Sequence, residues 1–168
     1  KRMIEVAYDH IPTQRVIKPA IAKWVREDID CAAKEVAYLQ GAGDKVPDAL
    51  KELGIKVTVI KPEDLSLNNL LAYDALLIGI RAYNTVNALA VKKDVLKAYM
   101  EKGGTIVTQY NTNYDLVTSD IGPYPFTITR GRVTDENAKV TINDPANILF
   151  SFPNKIEDRD FDSWIQER

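Results

Sequence analysis

The sequence predicts an α/β domain built on a mainly parallel central sheet, and three observations support this fold class. Short apolar runs recur along the chain, at residues 35–39, 56–60, 75–80 and 105–108. Segments with the apolar spacing of amphipathic helices separate these runs. Glycine-rich or polar turns join the two kinds of segment. Alternation of strands and helices along the chain is typical of a parallel sheet.

The predicted helices follow from capping and stop signals. A helix over 46–53 begins after Asp44, which is a favourable N-cap residue, and ends at Gly54. Residues 65–71 are predicted to form a short helix. The longest helix is predicted over 88–102, where apolar residues recur at helical spacing before a pair of glycines ends the pattern.

The first part of the chain differs from the rest. We interpret residues 1–33 as a lead-in segment from a preceding domain that packs on the core, and residues 34–168 as the α/β domain. Residues 3–8 alternate as a strand. A break is expected at 10–14, because Pro12 argues against a central strand there. The chain is thus predicted to be a fragment of a longer protein.

The pattern changes again after residue 113. Short strands, with antiparallel pairing as one option, are predicted at 127–129, around Val133 and at 138–142. Residues 158–166 are predicted to form an amphipathic terminal helix, because apolar residues there recur with helical spacing.

Composition excludes several classes of function. The net charge of −2 and the scattered basic residues argue against a nucleic-acid partner, which would need a basic face. No apolar run approaches the ~20 residues of a membrane span. The only cysteine, Cys31, and the only histidine, His10, leave no disulfide and no imidazole cluster for zinc. We therefore predict no metal and no cofactor.

Polar loops follow three of the predicted strands, at residues 40–44, 82–85 and 109–112. The last two loops share the sequence Tyr-Asn-Thr. Ligands bind at the carboxyl ends of the strands in open parallel sheets, so the three loops are predicted to form one ligand-binding edge. The candidate ligand-binding residues are Gln40, Gly41, Gly43, Asp44, Arg81, Tyr83, Asn84, Gln109, Tyr110 and Asn111.

The side chains of these loops suit neutral polar ligands such as sugars. Tyrosine rings offer flat faces, and the neighbouring residues offer amide and hydroxyl groups. Arg81 adds a donor for a carboxylate or phosphate. The structural alternative is that Asn84 and Asn111 stabilise turns through side-chain to backbone hydrogen bonds, while Tyr83 and Tyr110 pack.

The pattern Gly41-Ala42-Gly43-Asp44 after the first parallel strand has two interpretations. Glycines let backbone amides approach an anion at a helix N-terminus, which suits a phosphate. The third glycine of a dinucleotide fingerprint is absent, because Val46 occupies its position. The favoured interpretation is a tight turn between strand and helix, with Asp44 as the helix cap.

Common nucleophilic catalysis is not predicted. Cys31 precedes the first parallel strand, and His10 lies in the lead-in segment, so neither is expected at the strand ends. Asp44 and Asp115 are the candidates for carboxylate acid–base chemistry, although solvated carboxylates are the commoner role for such residues. We therefore predict no catalytic residue for this chain.

Several segments together resemble the C-terminal region of large bacterial PIG-L (LmbE-like) deacetylases. The matching segments are 8–14, 36–44, 79–85, 103–112, 121–126 and 160–168. The resemblance implies a class I glutamine amidotransferase-like fold, which is a flavodoxin-like, three-layer arrangement related to trehalose-utilisation (ThuA-like) domains. In amidotransferases a cysteine nucleophile follows the strand that residues 103–108 match. Gln109 and Tyr110 stand there in this chain, so glutaminase activity is not implied.

The resemblance implies an accessory role rather than a catalytic one. The zinc site of the deacetylases lies in another domain, so this chain is expected to be a non-catalytic part of a sugar N-deacetylase-type protein. Its partners would be carbohydrate and the other domains of the parent chain, and export of the parent would place it in the periplasm or outside the cell. Two alternatives stay open. One is a ThuA-like sugar-modifying enzyme that uses Asp44 or Asp115 with Tyr110, and the other is a structural interdomain module.

Overall fold

A computed structural model of the protein describes residues 1–22 and 28–162, which contain two separate sheets. The strands of the antiparallel hairpin are β1 (Arg2–Tyr8) and β2 (Ile11–Lys18). The strands of the parallel sheet are β3 (Glu35–Leu39), β4 (Lys56–Ile60), β5 (Ala75–Ile78) and β6 (Thr105–Thr108). The parallel strands lie in the order β4-β3-β5-β6. The predicted α/β class is confirmed, and the arrangement is consistent with a flavodoxin-like fold.

Five helices accompany the parallel sheet in the described residues. They are α1 (Val46–Glu52), α2 (Leu67–Leu70), α3 (Ala82–Thr85), α4 (Ala88–Val91) and α5 (Lys93–Glu101). The predicted helices over 46–53 and 65–71 are confirmed. The single helix predicted over 88–102 is wrong, because the chain leaves α-helical geometry at Lys92 and resumes it in α5. Residues 82–85, predicted as a loop, form the one-turn helix α3.

Helices lie on both faces of the sheet because the side chains of each strand alternate. Leu76 and Ile78 of β5 pack with residues of α2, α4 and α5 in the larger core cluster. Ala75 of β5 and Val36 of β3 belong to a smaller cluster, against which Leu50 of α1 packs. Burial on both faces explains why β3 and β5 are continuous apolar runs rather than alternating ones. β5 is shorter than the predicted run, since the chain turns after Ile78.

The N-terminal hairpin corrects two expectations. The strand at 3–8 is confirmed within β1, but the predicted break at 10–14 is only a tight turn, because β2 begins at Ile11 and pairs back along β1. Pro12 is tolerated there because both strands of a two-stranded sheet are edges. The expected packing of the lead-in on the core is wrong for residues 1–22, none of which is buried.

The segment after β6 also differs from the prediction. Described residues 109–162 contain no strand, so the strands predicted at 127–129, Val133 and 138–142 are wrong. An apolar, β-branched sequence forms a stable strand only when a partner supplies the hydrogen-bond ladder, and these segments have none. The ordered elements there are two short 3₁₀ helices, Ile148–Phe150 and Asp158–Phe161. The second one covers the start of the segment predicted as a terminal helix and ends at Phe161, since the backbone of Asp162 is extended. Residues 163–166 of that prediction lie outside the described residues.

No helix within residues 1–22 and 28–162 combines the length and the apolar character needed to cross a lipid bilayer.

Candidate functional site

The three predicted loops meet at the carboxyl edge of the parallel sheet, because β3, β5 and β6 are neighbours. Backbone hydrogen bonds join the loops directly. The Ala42 amide donates to the Ile80 carbonyl at 2.8 Å, which ties the loop after β3 to the loop after β5. The Arg81 amide donates to the Tyr110 carbonyl at 2.7 Å, which ties the loop after β5 to the loop after β6. We call this connected set of loops, residues 40–44, 79–85 and 109–114, the rim.

Gly41 allows the first two loops to approach closely. A Cβ atom at this position would lie 2.2 Å from the Ile80 carbonyl oxygen and 2.7 Å from the Ala82 nitrogen. Only glycine fits such a backbone contact without displacement. The amides of Ala42 and Val46 already donate to the Ile80 carbonyl and the Asp44 carboxylate. Gly41 therefore allows two loops to pack together. This role favours the structural interpretation of the Gly41-Ala42-Gly43-Asp44 pattern over a phosphate site.

The two Tyr-Asn-Thr copies hold each other in place. Asn84 Oδ1 accepts from the Thr112 amide at 3.0 Å, and Asn84 Nδ2 donates to the Tyr114 carbonyl at 2.8 Å. Asn111 Oδ1 accepts from the Tyr83 amide at 3.0 Å. Each asparagine thus bonds the backbone of the other copy. Both side chains thus have the structural role that the alternative interpretation predicted, but these bonds join two loops rather than stabilise single turns.

The two tyrosines of the repeated sequence have different surroundings. Tyr83 is only 3% exposed and lies in the larger core cluster. Burial, with a smaller contribution from the Asp120 charge, raises the pKa of Tyr83 to about 12. Tyr110 is 62% exposed. Of these two tyrosines only Tyr110 is exposed to solvent, so the identical sequences do not have equivalent surroundings.

A buried tyrosine that the sequence analysis did not select anchors the centre of the rim. The Tyr38 hydroxyl donates to Asp44 Oδ2 at 2.5 Å and accepts from Gln109 Nε2 at 3.3 Å. The signal that could have revealed this cluster is the phenol within the apolar run of β3, since a buried hydroxyl needs a polar partner.

Asp44 is held by several donors at once. Besides Tyr38, the Val46 amide donates to Oδ1 at 2.8 Å and the Ile80 amide to Oδ2 at 3.4 Å. Partial burial raises the pKa of Asp44, but hydrogen bonds from Tyr38, Val46 and Ile80 outweigh it and keep the pKa below its ordinary value. The prediction that Asp44 is the helix cap is wrong by one residue, because Lys45 occupies the N-cap position of α1.

Because the Tyr38 hydroxyl is buried, the stability of the protein is expected to fall at alkaline pH. Burial, followed by the bond to Asp44, raises the pKa of Tyr38 from 10.0 to about 12. The unfolded chain therefore loses this proton first, and the free energy of unfolding falls as the pH rises from 10 towards 12. In Tyr38→Phe the free energy of unfolding is expected to fall less steeply with pH, by up to about 1.4 kcal/mol per pH unit, which corresponds to one proton. Tyr83 continues to contribute to the decline in this variant.

Urea unfolding of both proteins across pH 9–12 measures the effect. Tyr124→Phe is the matched control, because Tyr124 is 79% exposed and keeps its contact with solvent when the chain unfolds. An unchanged pH dependence in Tyr38→Phe would contradict the prediction.

The remaining candidate chemical groups lie apart from the Tyr38–Asp44 cluster. Asp115 is exposed and has a left-handed backbone with φ of 54°. Cys31 is exposed and precedes β3, which places it towards the amino edge of the sheet. His10 lies in the hairpin turn, where its ring centroid is 5.8 Å from that of Tyr8. Within the described part of the chain, no group of three His, Cys, Asp or Glu residues could hold a metal ion.

An open groove of about 600 Å³ lies along one side of the rim. Tyr110 and Tyr114 line it together with Arg81, and a later segment contributes Arg130 and Arg132. Arg81 and Tyr110 were predicted from the sequence. Arg130 and Arg132 were missed because residues 128–132 reach the rim only through the fold, and Tyr114 was missed because it lies just beyond the repeated Tyr-Asn-Thr sequence. Of the ten predicted ligand-binding residues, Asn111 also lines the groove. The other seven lie on the rim outside the groove lining: Gln40, Gly41, Gly43, Asp44, Tyr83, Asn84 and Gln109.

Comparison with protein-family models, curated proteins and solved structures found no match for this chain.

Proposed function

We propose that this chain is a non-catalytic α/β domain that binds carbohydrate at the carboxyl edge of its parallel sheet. The observation that supports this function best is the pair of exposed tyrosines in the groove. Tyr110 is 62% exposed and Tyr114 is 52% exposed, and both line the same open space. Exposed aromatic faces beside hydrogen-bonding groups suit sugar rings, which have an apolar face and a polar periphery.

The fixed rim favours binding over catalysis. Asn84 and Asn111 use their amide groups to join the loops, so the groove is preformed and little ordering is needed when a ligand arrives. The Asp44 carboxylate accepts three hydrogen bonds, and its lowered pKa makes it a poor proton donor. The resemblance to the C-terminal region of PIG-L-type deacetylases supports an accessory role beside a sugar-modifying domain.

Binding of the 168-residue protein to a glycan array, followed by calorimetry with the strongest ligand, tests the proposal. Tyr110→Ala is expected to raise the dissociation constant about five- to tenfold, since truncation of an exposed aromatic anchor typically costs about 1 kcal/mol or more. Tyr124→Ala removes a tyrosine that is still more exposed and lies outside the groove lining, so it should leave affinity unchanged. Absence of glycan binding, or equal affinity in both variants, would exclude this function.

The same samples distinguish the ThuA-like enzymatic alternative. Mass spectrometry of the bound glycan after prolonged incubation is expected to show the starting material only. A converted product would contradict the binding proposal if it is absent in Asp115→Asn while glycan affinity is retained. The chain would then be a sugar-modifying enzyme.

A further inference from the structure

The groove beside the rim concentrates positive charge on a protein that is negative as a whole. Arg81, Arg130 and Arg132 all line it, and its described lining contains no Asp or Glu. The complete chain has a net charge of −2. Three guanidinium groups in one concave space therefore form a local field opposite in sign to the net charge.

These arginines also lack ion pairs of the kind that Arg15 and Arg159 make. Arg15 bonds Glu5 at 2.9 Å, and Arg159 lies 3.2 Å from Glu157. Among the residues that the structure describes, no carboxylate lies within 4.0 Å of a guanidinium nitrogen of the three groove arginines. Their charge is thus available to a ligand.

Arg81 is part of the fixed rim rather than a flexible surface residue. Its backbone has a φ of 57°, in the left-handed region that costs a residue with a Cβ free energy. The Arg81 amide bonds the Tyr110 carbonyl at 2.7 Å, and Nη2 lies 3.4 Å from the Tyr114 hydroxyl. Strained residues that the surrounding structure holds in place cluster at ligand-binding sites. Arg81 thus joins the charged and the aromatic parts of the groove.

We propose that the groove recognises a saccharide that carries carboxylate groups, a specificity that rests on the carbohydrate-binding function proposed above. The planar guanidinium fork matches a carboxylate in two parallel hydrogen bonds, while Tyr110 and Tyr114 contact the sugar rings. A nucleic acid fits less well. Its continuous phosphate charge favours an extended basic face, whereas the positive charge here is confined to one groove.

Calorimetry with tetragalacturonate and with its fully methyl-esterified form tests the proposal, because esterification removes the carboxylate charges and leaves the sugar rings and their linkages unchanged. Tetragalacturonate is expected to bind more tightly, with an affinity that falls as NaCl increases. The double variant Arg130→Gln/Arg132→Gln should weaken its binding about five- to thirtyfold and leave the ester unaffected. Lys34→Gln/Lys102→Gln removes the same charge before β3 and β6, at the amino edge of the sheet, and should bind like the original protein.

The outcomes separate the specificity from the general function. Equal affinity for the two ligands, or an arginine variant that binds tetragalacturonate normally, would overturn the acidic-saccharide proposal while carbohydrate binding stands. If neither ligand binds and no glycan on the array binds, both proposals would be overturned. Tighter binding of a single-stranded RNA oligomer at the same salt concentration would assign the groove to nucleic acid instead. Amide chemical shifts at residues 110–114 and 128–132 locate the ligand in each case.

Discussion

Replacement of Gly41 by Ala is expected to lower the free energy of unfolding by about 3 kcal/mol or more, at the upper end of overpacking effects. The added Cβ would lie 2.2 Å from the Ile80 carbonyl oxygen and 2.7 Å from the Ala82 nitrogen. Both obstacles are backbone atoms, so no side-chain rotation relieves the contact. The loop after β5 would have to move, and the 2.8 Å bond from the Ala42 amide to the Ile80 carbonyl would break.

Urea unfolding at neutral pH measures this loss. Gly131→Ala is the matched control, because its added Cβ would make only one ordinary contact, at 3.6 Å from Thr129 Oγ1. That variant should stay within about 0.5 kcal/mol of the original protein. Similar stability of the two variants would show that the loops after β3 and β5 do not approach as closely as described.

Asn111→Ala is expected to destabilise the protein by about 2 to 4 kcal/mol, since each buried polar group left unsatisfied costs about 1 to 3 kcal/mol. Asn111 is only 5% exposed. Its Oδ1 accepts from the Tyr83 amide at 3.0 Å, and its Nδ2 donates to the Gln109 carbonyl at 2.8 Å. Alanine removes both bonds and leaves the Tyr83 amide without its partner in a buried position.

A second asparagine, two positions further along the chain, provides the control for this prediction. Asn113 is half-buried, and within the described part of the chain its side chain makes no hydrogen bond. Thermal unfolding of Asn113→Ala should therefore match that of the original protein within about 0.5 kcal/mol. If Asn111→Ala were equally stable, the two Tyr-Asn-Thr copies would not depend on the asparagine link. That result would contradict the inference that the groove is preformed.

Together these contacts explain how a rim rich in polar groups can be both rigid and partly open. The amide groups of Asn84 and Asn111 are occupied by backbone partners, and Tyr83 is part of the core. The tyrosine and arginine side chains that line the groove are Tyr110, Tyr114, Arg81, Arg130 and Arg132. The binding proposal therefore involves fewer of the originally selected residues than the repeated sequence suggests.

Local patterns were sufficient to predict most of the parallel sheet. The runs 35–39, 56–60 and 105–108 match β3, β4 and β6 in full. β3 lies inside the sheet and needs a nearly continuous apolar sequence, whereas the edge strands β4 and β6 are recognisable from β-branched residues that favour extended structure. The stop after α1 was also predictable. Gly54 adopts a φ of 81°, which residues with a Cβ rarely adopt.

The same patterns failed where stability depends on a distant partner. Residues 138–142 have a strand-like sequence, yet they form no strand because no neighbouring ladder is available to them. Residues 10–14 contain a proline but continue into β2, because β1 pairs with that strand along its length. Apolar periodicity shows that a segment can form a strand, but only the fold decides whether a partner strand lies beside it.

By itself the sequence determined the α/β class, the main strands and the meeting of three loops at one sheet edge, because these depend on apolar periodicity and on the geometry of parallel strands. Only the tertiary structure decided which residues of that edge line the groove. Asn84 and Thr112 bond each other across 28 positions of the chain, and Arg130 joins Arg81 in one groove across a still longer separation. Such contacts arise from long-range packing, for which a local pattern of residue types contains no signal.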